Sequence, residues 1–319
     1  MGSSRNAAKS TPPPAPPLVA PTSRILWRPK VWGSLAIVLA VGYGGHLAWN
    51  HYLPTIARHS QFQIPADRVH VTPSPHWVRA DVKSEVLRDS GLLGNLSVID
   101  DHQRLQQRVR DAFAFHPWVA AVGQIKIDLP VSLEVELQYR QPVAAVETVD
   151  RETVSYLPID ATGVRLPDAD FSDYERRSLP RISGVTGLPS VGERWADERV
   201  TNAAVLAAKL ADVWSQLRLV EIIPSMQAQV RGDTSFYDFE IITSGGTRIV
   251  WGAAPGREQD AAESPFDDKR KRLLEYAAGP GQLDSIDGPA SVDVRSDLVV
   301  LPRTARRPGA KAEAKTETK

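Results

Sequence analysis

The chain has 319 residues, and its 38 Lys and Arg balance 38 Asp and Glu, so its charge gives no reason to expect a polyanionic partner such as nucleic acid. It contains no cysteine, which excludes disulfides, thiolate metal ligands and cysteine nucleophiles. The length accommodates about two ordinary domains with appendages.

Residues 1–30 carry Arg5, Lys9, Arg24, Arg28 and Lys30, no Asp or Glu, and a proline-rich stretch around Pro12–Pro17. Such a composition cannot bury a core, so a disordered cytoplasmic tail is expected. Val31–Trp49 then contains no Asp, Glu, Lys or Arg. As a helix it would extend about 29 Å, close to the hydrocarbon thickness, so a transmembrane helix is expected over 31–49. Trp27, Trp32, Trp49 and Tyr52 lie near its ends, where interfacial aromatics belong. Arg24, Arg28 and Lys30 precede it closely, whereas Arg58 alone follows closely; the positive-inside rule then places the N-terminus in the cytoplasm. The competing reading is a cleaved signal with a small-x-small site at Ala40-Val41-Gly42. Ala36, Ala40, Gly44 and Ala48 form a small-residue stripe, and Ala36, Ala40 and Gly44 are the candidate positions for packing against another membrane helix.

After a polar linker over 50–66, a first module is expected over 67–140. Val69 and Val71 alternate with polar neighbours as in a short strand. Trp77–Asp89 reads as a helix ending at Gly91. Asp100 is placed to cap a second helix, with Gln103 in a capping-box-like position. Leu105, Val109, Ala112 and Phe113 form its apolar stripe. Two alternating runs follow Pro117-Trp118-Val119, one through Ile125, Ile127 and Leu129, the other through Leu133, Val135 and Leu137. They read as a hairpin turning at Leu129-Pro130-Val131-Ser132. The predicted order is strand, helix, helix, strand, strand.

This order is similar to a POTRA domain, and its motifs resemble the FtsQ/DivIB cell-division family. The resemblance rests on Pro117-Trp118-Val119, Leu129-Pro130, Leu133–Leu137 and Tyr139-Arg140-Gln141-Pro142-Val143-Ala144. Two departures mark a divergent member. Tyr139 stands where the family has Glu, and Pro75-His76 stands where a Gly is usual. The likeness continues through Tyr156–Val164, with an Asp160-x-x-Gly163 turn, through Leu179-Pro180-Arg181-Ile182-Ser183-Gly184, and to Val292-Asp293-Val294-Arg295. It implies an α+β fold: one N-terminal transmembrane helix, a POTRA domain, then a mixed β-sheet domain with flanking helices over 141–302. A disordered tail is expected over 303–319.

Within 141–302, Val200–Leu217 has a helical apolar face through Leu206, Leu210, Val213, Trp214 and Leu217. Strands are expected at Ile222–Val230, Tyr237–Ile242 and Arg248–Trp251, with Ser244-Gly245-Gly246 as a tight turn. Ser264-Pro265-Phe266-Asp267 has the form of a capped helix start. The following Lys269-Arg270-Lys271-Arg272 is expected on a solvated face, and Gly279-Pro280 ends the helix. A last strand is expected from Val292 through Leu301.

No serine-nucleophile elbow, zinc-binding helix, phosphate loop or dinucleotide fingerprint occurs, and the seven histidines are scattered. The expectation is a protein with no enzyme activity, no cofactor, no metal and no small-molecule substrate. The resemblance implies an inner-membrane protein with its large module outside the membrane, enriched at the division septum. It also implies recruitment of FtsB/FtsL-like coiled-coil membrane proteins. The expected route is strand addition at Ser296, Asp297, Leu298, Val299, Val300 and Leu301, with side-chain contacts from Arg270 and Leu274 on the preceding helix. An apolar run such as Leu298–Leu301 could equally be buried core. The alternative function is an envelope scaffold or an outer-membrane translocation arm.

Overall fold

The structure, a computed structural model, describes residues 29–57, 64–92, 102–128, 132–150, 153–279, 283, 285 and 287–303. The expectations for the tails at 1–28 and 304–319, the Asp100 cap, the turn at 129–131 and the helix stop at Pro280 lie outside these residues. The chain forms two compact units, residues 1–62 and 63–319.

The first unit contributes helix α1, Pro29–Ala57. It includes the whole of the span expected at 31–49. Among the described residues, however, no helix is long and apolar enough to cross a membrane. The weak part is Gly42-Tyr43-Gly44-Gly45-His46, where three glycines and an imidazole contribute little apolar surface. Asn50 Nδ2 stands 3.0 Å from His46 Nε2, a polar link one turn long.

In the second unit, β1 (Val69–Val71), α2 (Val82–Asp89), α3 (His102–Ala114), β2 (Val119–Asp128) and β3 (Ser132–Tyr139) follow in the expected order. They form a three-stranded sheet, β1-β3-β2, with β1 parallel and β2 antiparallel to β3. Leu133, Val135 and Leu137 of β3 are buried, and the intervening Glu134, Glu136 and Gln138 are exposed, the alternation of a half-buried strand. Leu105, Val109 and Phe113 of α3 close the other side of this core. Helix α2 starts five residues later than expected. Asp81 caps it, accepting from the Ser84 N–H at 3.1 Å, and Val78 is buried outside it. Gly91, just past α2, has φ +64°, as a left-handed helix end requires.

Strands β4 (Pro142–Asp150) and β5 (Thr153–Asp160) open a second, eight-stranded mixed sheet. It is completed by β6 (Arg181–Ile182), β7 (Leu219–Pro224), β10 (Asp238–Thr243), β11 (Arg248–Ala253), β12 (Ser291–Asp293) and β13 (Val299–Leu301). The order across it is β13-β12-β11-β10-β7-β6-β4-β5. Helix α4 (Asp173–Ser178) lies between β5 and β6 in the chain. α5 (Glu198–Lys209) and α6 (Ala211–Trp214) supply Val200, Leu206, Leu210, Val213 and Trp214 to the core against Ile182, Ile222 and Ile241. The single helix expected at 200–217 is therefore two, parted at Leu210, whose N–H is shared between the carbonyls of Leu206 and Ala207. The strand expected at 222–230 likewise stops at Pro224. Gln229–Arg231 forms β8, which pairs with β9 (Thr234–Phe236) in a separate two-stranded ribbon.

The two cores touch through the segment after β5. Leu166 and Phe171 pack into the first core, and the Trp118 indole N–H donates to Asp170 Oδ2 at 2.5 Å. Asp160 binds the N–H groups of Thr162 and Val164, both at 2.9 Å, and receives Arg140 Nη1 at 2.6 Å. The Asp160–Gly163 turn is present, with Gly163 at φ +78° against Thr201. Two short helical elements complete the sheet's flank: α7 (Glu258–Ala261) and α8 (Phe266–Ala278). Ser264 does not cap α8. Pro265 holds the cap position, and the Ser264 hydroxyl instead accepts from Arg272 Nη2 at 2.8 Å.

Candidate functional site

The last two strands form an antiparallel hairpin, with Ser291 opposite Leu301, Val292 opposite Val300 and Asp293 opposite Val299. The continuous strand expected from Val292 to Leu301 thus turns back on itself. Because β13 is outermost, its far side has no neighbour in the sheet among the described residues. Leu298, Val299, Val300 and Leu301 are all exposed, which decides against the buried reading of this run.

The direction of each backbone group follows from the bonds of β12. The Arg248 N–H donates to Ala290 O at 3.1 Å, and the Val294 N–H donates to Val250 O at 3.2 Å. Val292 and Val294 therefore turn their peptide groups towards β11 and Asp293 turns its towards β13, while Ala290 at the strand's start is split, its C=O facing β11 and its N–H donating to Leu301 O of β13 at 2.9 Å. On β13 the inward residues are then Val299 and Leu301. Val300, between them, directs both its N–H and its C=O to the open border. Pro302 follows with no N–H to offer, which keeps this border short.

Helix α8 and the segment before it hold the hairpin. Lys269 is fully buried; its ammonium donates to Glu263 Oε2 at 2.6 Å and to the Trp251 carbonyl at 3.0 Å. The same Glu263 oxygen accepts from the Ala253 N–H at 2.9 Å. A Cβ at Gly252 would meet this carboxylate at 2.3 Å, so only glycine fits there, and it does so at φ +82°. Arg272 Nη1 donates to the Val294 carbonyl at 2.9 Å, and the Ser264 N–H donates to the Arg295 carbonyl at 2.8 Å. Asp293 and Arg295 close the turn as a two-point ion pair, 2.7 Å at the nearest atoms. Burial pushes the Asp293 carboxyl up, but the Arg295 side chain and N–H outweigh it and hold the group below the usual carboxylate range. Asp238, close by, lies above that range because of burial first and the Glu263 charge second. A groove of about 350 Å³ beside β13 is lined by Glu263, Asp293, Arg295, Ser296, Asp297 and Val299, among others.

Of the residues expected at the site, Ser296 and Asp297 lie in the turn that leads to β13, and the Ser296 carbonyl accepts from the Ser264 hydroxyl at 3.4 Å. Arg270 is drawn elsewhere, to an ion pair with Asp212 of α6. Leu274 is half-buried against the main core. Neither side chain makes a hydrogen bond to the hairpin, and the contact from α8 comes from Arg272. The four-residue basic run expected on a solvated face is divided: only Lys271 is fully exposed, whereas Lys269 is interior. Residue type alone gave no sign of this. The spacing did, because Phe266, Lys269 and Leu273 lie at i, i+3 and i+7 on the buried side of α8. Ala36, Ala40 and Gly44 lie exposed along α1, and nothing stands within 4 Å of a Cβ built at Gly44.

Among the described residues, no group of three or more His, Asp or Glu side chains could hold a metal ion. No protein-family model matches the chain, and no curated protein matches it.

Proposed function

We propose that this protein is a non-enzymatic, membrane-tethered recruitment factor of the FtsQ/DivIB type, which captures an FtsB/FtsL-like coiled-coil membrane protein by strand addition and so supports septum formation. The observation that carries the reading is the open border of β13. An exposed apolar strand there presents the Val300 N–H and C=O outward, and a partner strand would satisfy both. The Val299 and Leu301 side chains, each more than half exposed, would lie against alternate side chains of the incoming strand.

The motif run from Pro117 to Ala144 and the order strand, helix, helix, strand, strand support the family reading. Tethering is supported by α1. Its described side chains, 32–52, are exposed all round and include no charged group, a surface better matched to lipid than to water. The basic residues ahead of the helix orient it with the N-terminus in the cytoplasm and the larger unit outside. Ala36, Ala40 and Gly44 would then let a partner's membrane helix approach closely.

Val300→Pro in the full chain tests the proposal, because it removes the outward donor while Val299 and Leu301 keep their bonds to β12. Capture of the coiled-coil partner from membranes should fall about tenfold or more, the loss of one hydrogen bond plus the clash of the proline ring. A folded Val300→Pro protein that captures its partner undiminished would rule strand addition out. Loss of septal enrichment of a fluorescent fusion in the same variant separates the division role from that of a general envelope scaffold.

A further inference from the structure

We infer that the opposite border of the large sheet, the outer side of β5, is a second interface, and that its occupant is the β5 strand of a second copy of this chain. The outward groups of β5 follow from its bonds to the segment behind it. The Leu166 N–H donates to Pro158 O at 2.8 Å, and the Asp160 N–H donates to Val164 O at 3.1 Å. Pro158 and Asp160 therefore face away from β4. The β4–β5 register runs without a shift from Ile159 to Thr153, so Tyr156 and Val154 face away too. Beyond Pro158 the border is covered; before it, no described residue takes the N–H or C=O of Val154 or Tyr156. Val154 is about half exposed, at 49%, and its cross-strand neighbour Val149 is more so, at 69%.

The occupant is argued from the sequence of the border itself. Thr153-Val154-Ser155-Tyr156-Leu157 has no charge, so two copies meet without repulsion. Set antiparallel about a two-fold axis at Ser155, the strand is complementary to itself. The N–H and C=O of Val154 then meet those of Tyr156 on the second copy, and the reverse, so all the open groups are used. The side chains agree with this register. Each Val154 lies opposite a Tyr156, a favourable β-branched and aromatic pair, and the small Ser155 lies on the axis where two copies of one residue must fit. The border at β2 carries devices against such pairing, two register shifts and an exposed Lys126. The stretch Thr153–Leu157 carries none.

The absence of cysteine makes the test clean. In the proposed dimer the two Ser155 residues form a non-hydrogen-bonded pair, with Cα atoms about 4.5 Å apart, within reach of a disulfide. Ser155→Cys in the full-length chain, oxidised mildly in its native membranes, should give a covalent homodimer. Thr153→Cys should not, because two such residues would stand about 14 Å apart along the strand. Adding Tyr156→Pro to Ser155→Cys should abolish the link. A Ser155→Cys chain that stays monomeric overturns the proposal. So does equal linkage at Thr153→Cys, a link that survives Tyr156→Pro, or a crosslink to a different protein.

Discussion

Two aspartates a few side chains apart have opposite effects on stability. Asp238 has its carboxyl raised by burial and by Glu263, and its Oδ1 is buried without a hydrogen-bond partner. Its folded-state pKa exceeds the unfolded one, so it costs nothing below the unfolded value of about 3.9. The cost grows as pH rises from there towards the folded value, and is complete above it. Asp293 behaves in the other sense. Its carboxyl is lowered, so its contribution is present above the unfolded value and is lost as pH falls through the folded one. Asp238→Asn removes the unfavourable charge and keeps the shape. The variant should melt at a higher temperature than the parent at pH 7, and the gap should close as the pH is lowered towards 3. A gap that widened on acidification would show the carboxylate to be favourable where it sits.

Elements whose pattern is local were legible in the sequence, and those set by distant partners were not. The stripe of α3 and the alternation of β3 depend on spacing alone, and both hold. The turn between β12 and β13 depends on Arg272 and Ser264 reaching the Val294 and Arg295 carbonyls from another element, and no spacing within Val292–Leu301 reports that. The border at Ser296–Leu301 is placed by the family resemblance, because the apolar run Leu298–Leu301 alone fits buried core equally well, and a basic run does not reveal whether Arg270 or Arg272 faces the hairpin. Lys269 was missed for the same reason, yet it docks α8 on β11. Its side chain is 0% exposed and that of Glu263 8%, so each is the other's replacement for water. Lys269→Met leaves Glu263 buried with only the Ala253 N–H, and should cost about 3–5 kcal/mol. Lys269→Met with Glu263→Leu should recover much of that, because the stranded charge is gone. Denaturant midpoints of the two variants check this, and equal losses in both would mean that packing, not charge, is what the pair supplies.

At the scale of the whole chain, the two compact units have opposite relations to water. The described core residues of the larger one lie between Ile64 and Val294. α1 by contrast exposes Leu35, Ile37, Val38, Leu39 and Val41 in succession, apolar area that water penalises at about 25 cal/mol per Å². An apolar surface of that kind is expected to be covered, and the membrane tether proposed above would cover it. Removing residues 1–62 should leave the thermal unfolding of the remainder unchanged and release it from membranes into the supernatant. Alkaline extraction separates the ways in which the full chain could be held. An inserted helix stays in the pellet at pH 11, whereas a chain held only by its basic tail against anionic headgroups is washed off. Pelleting of the shortened chain to the same extent as the full one would move the attachment to the larger unit and leave α1 without that role.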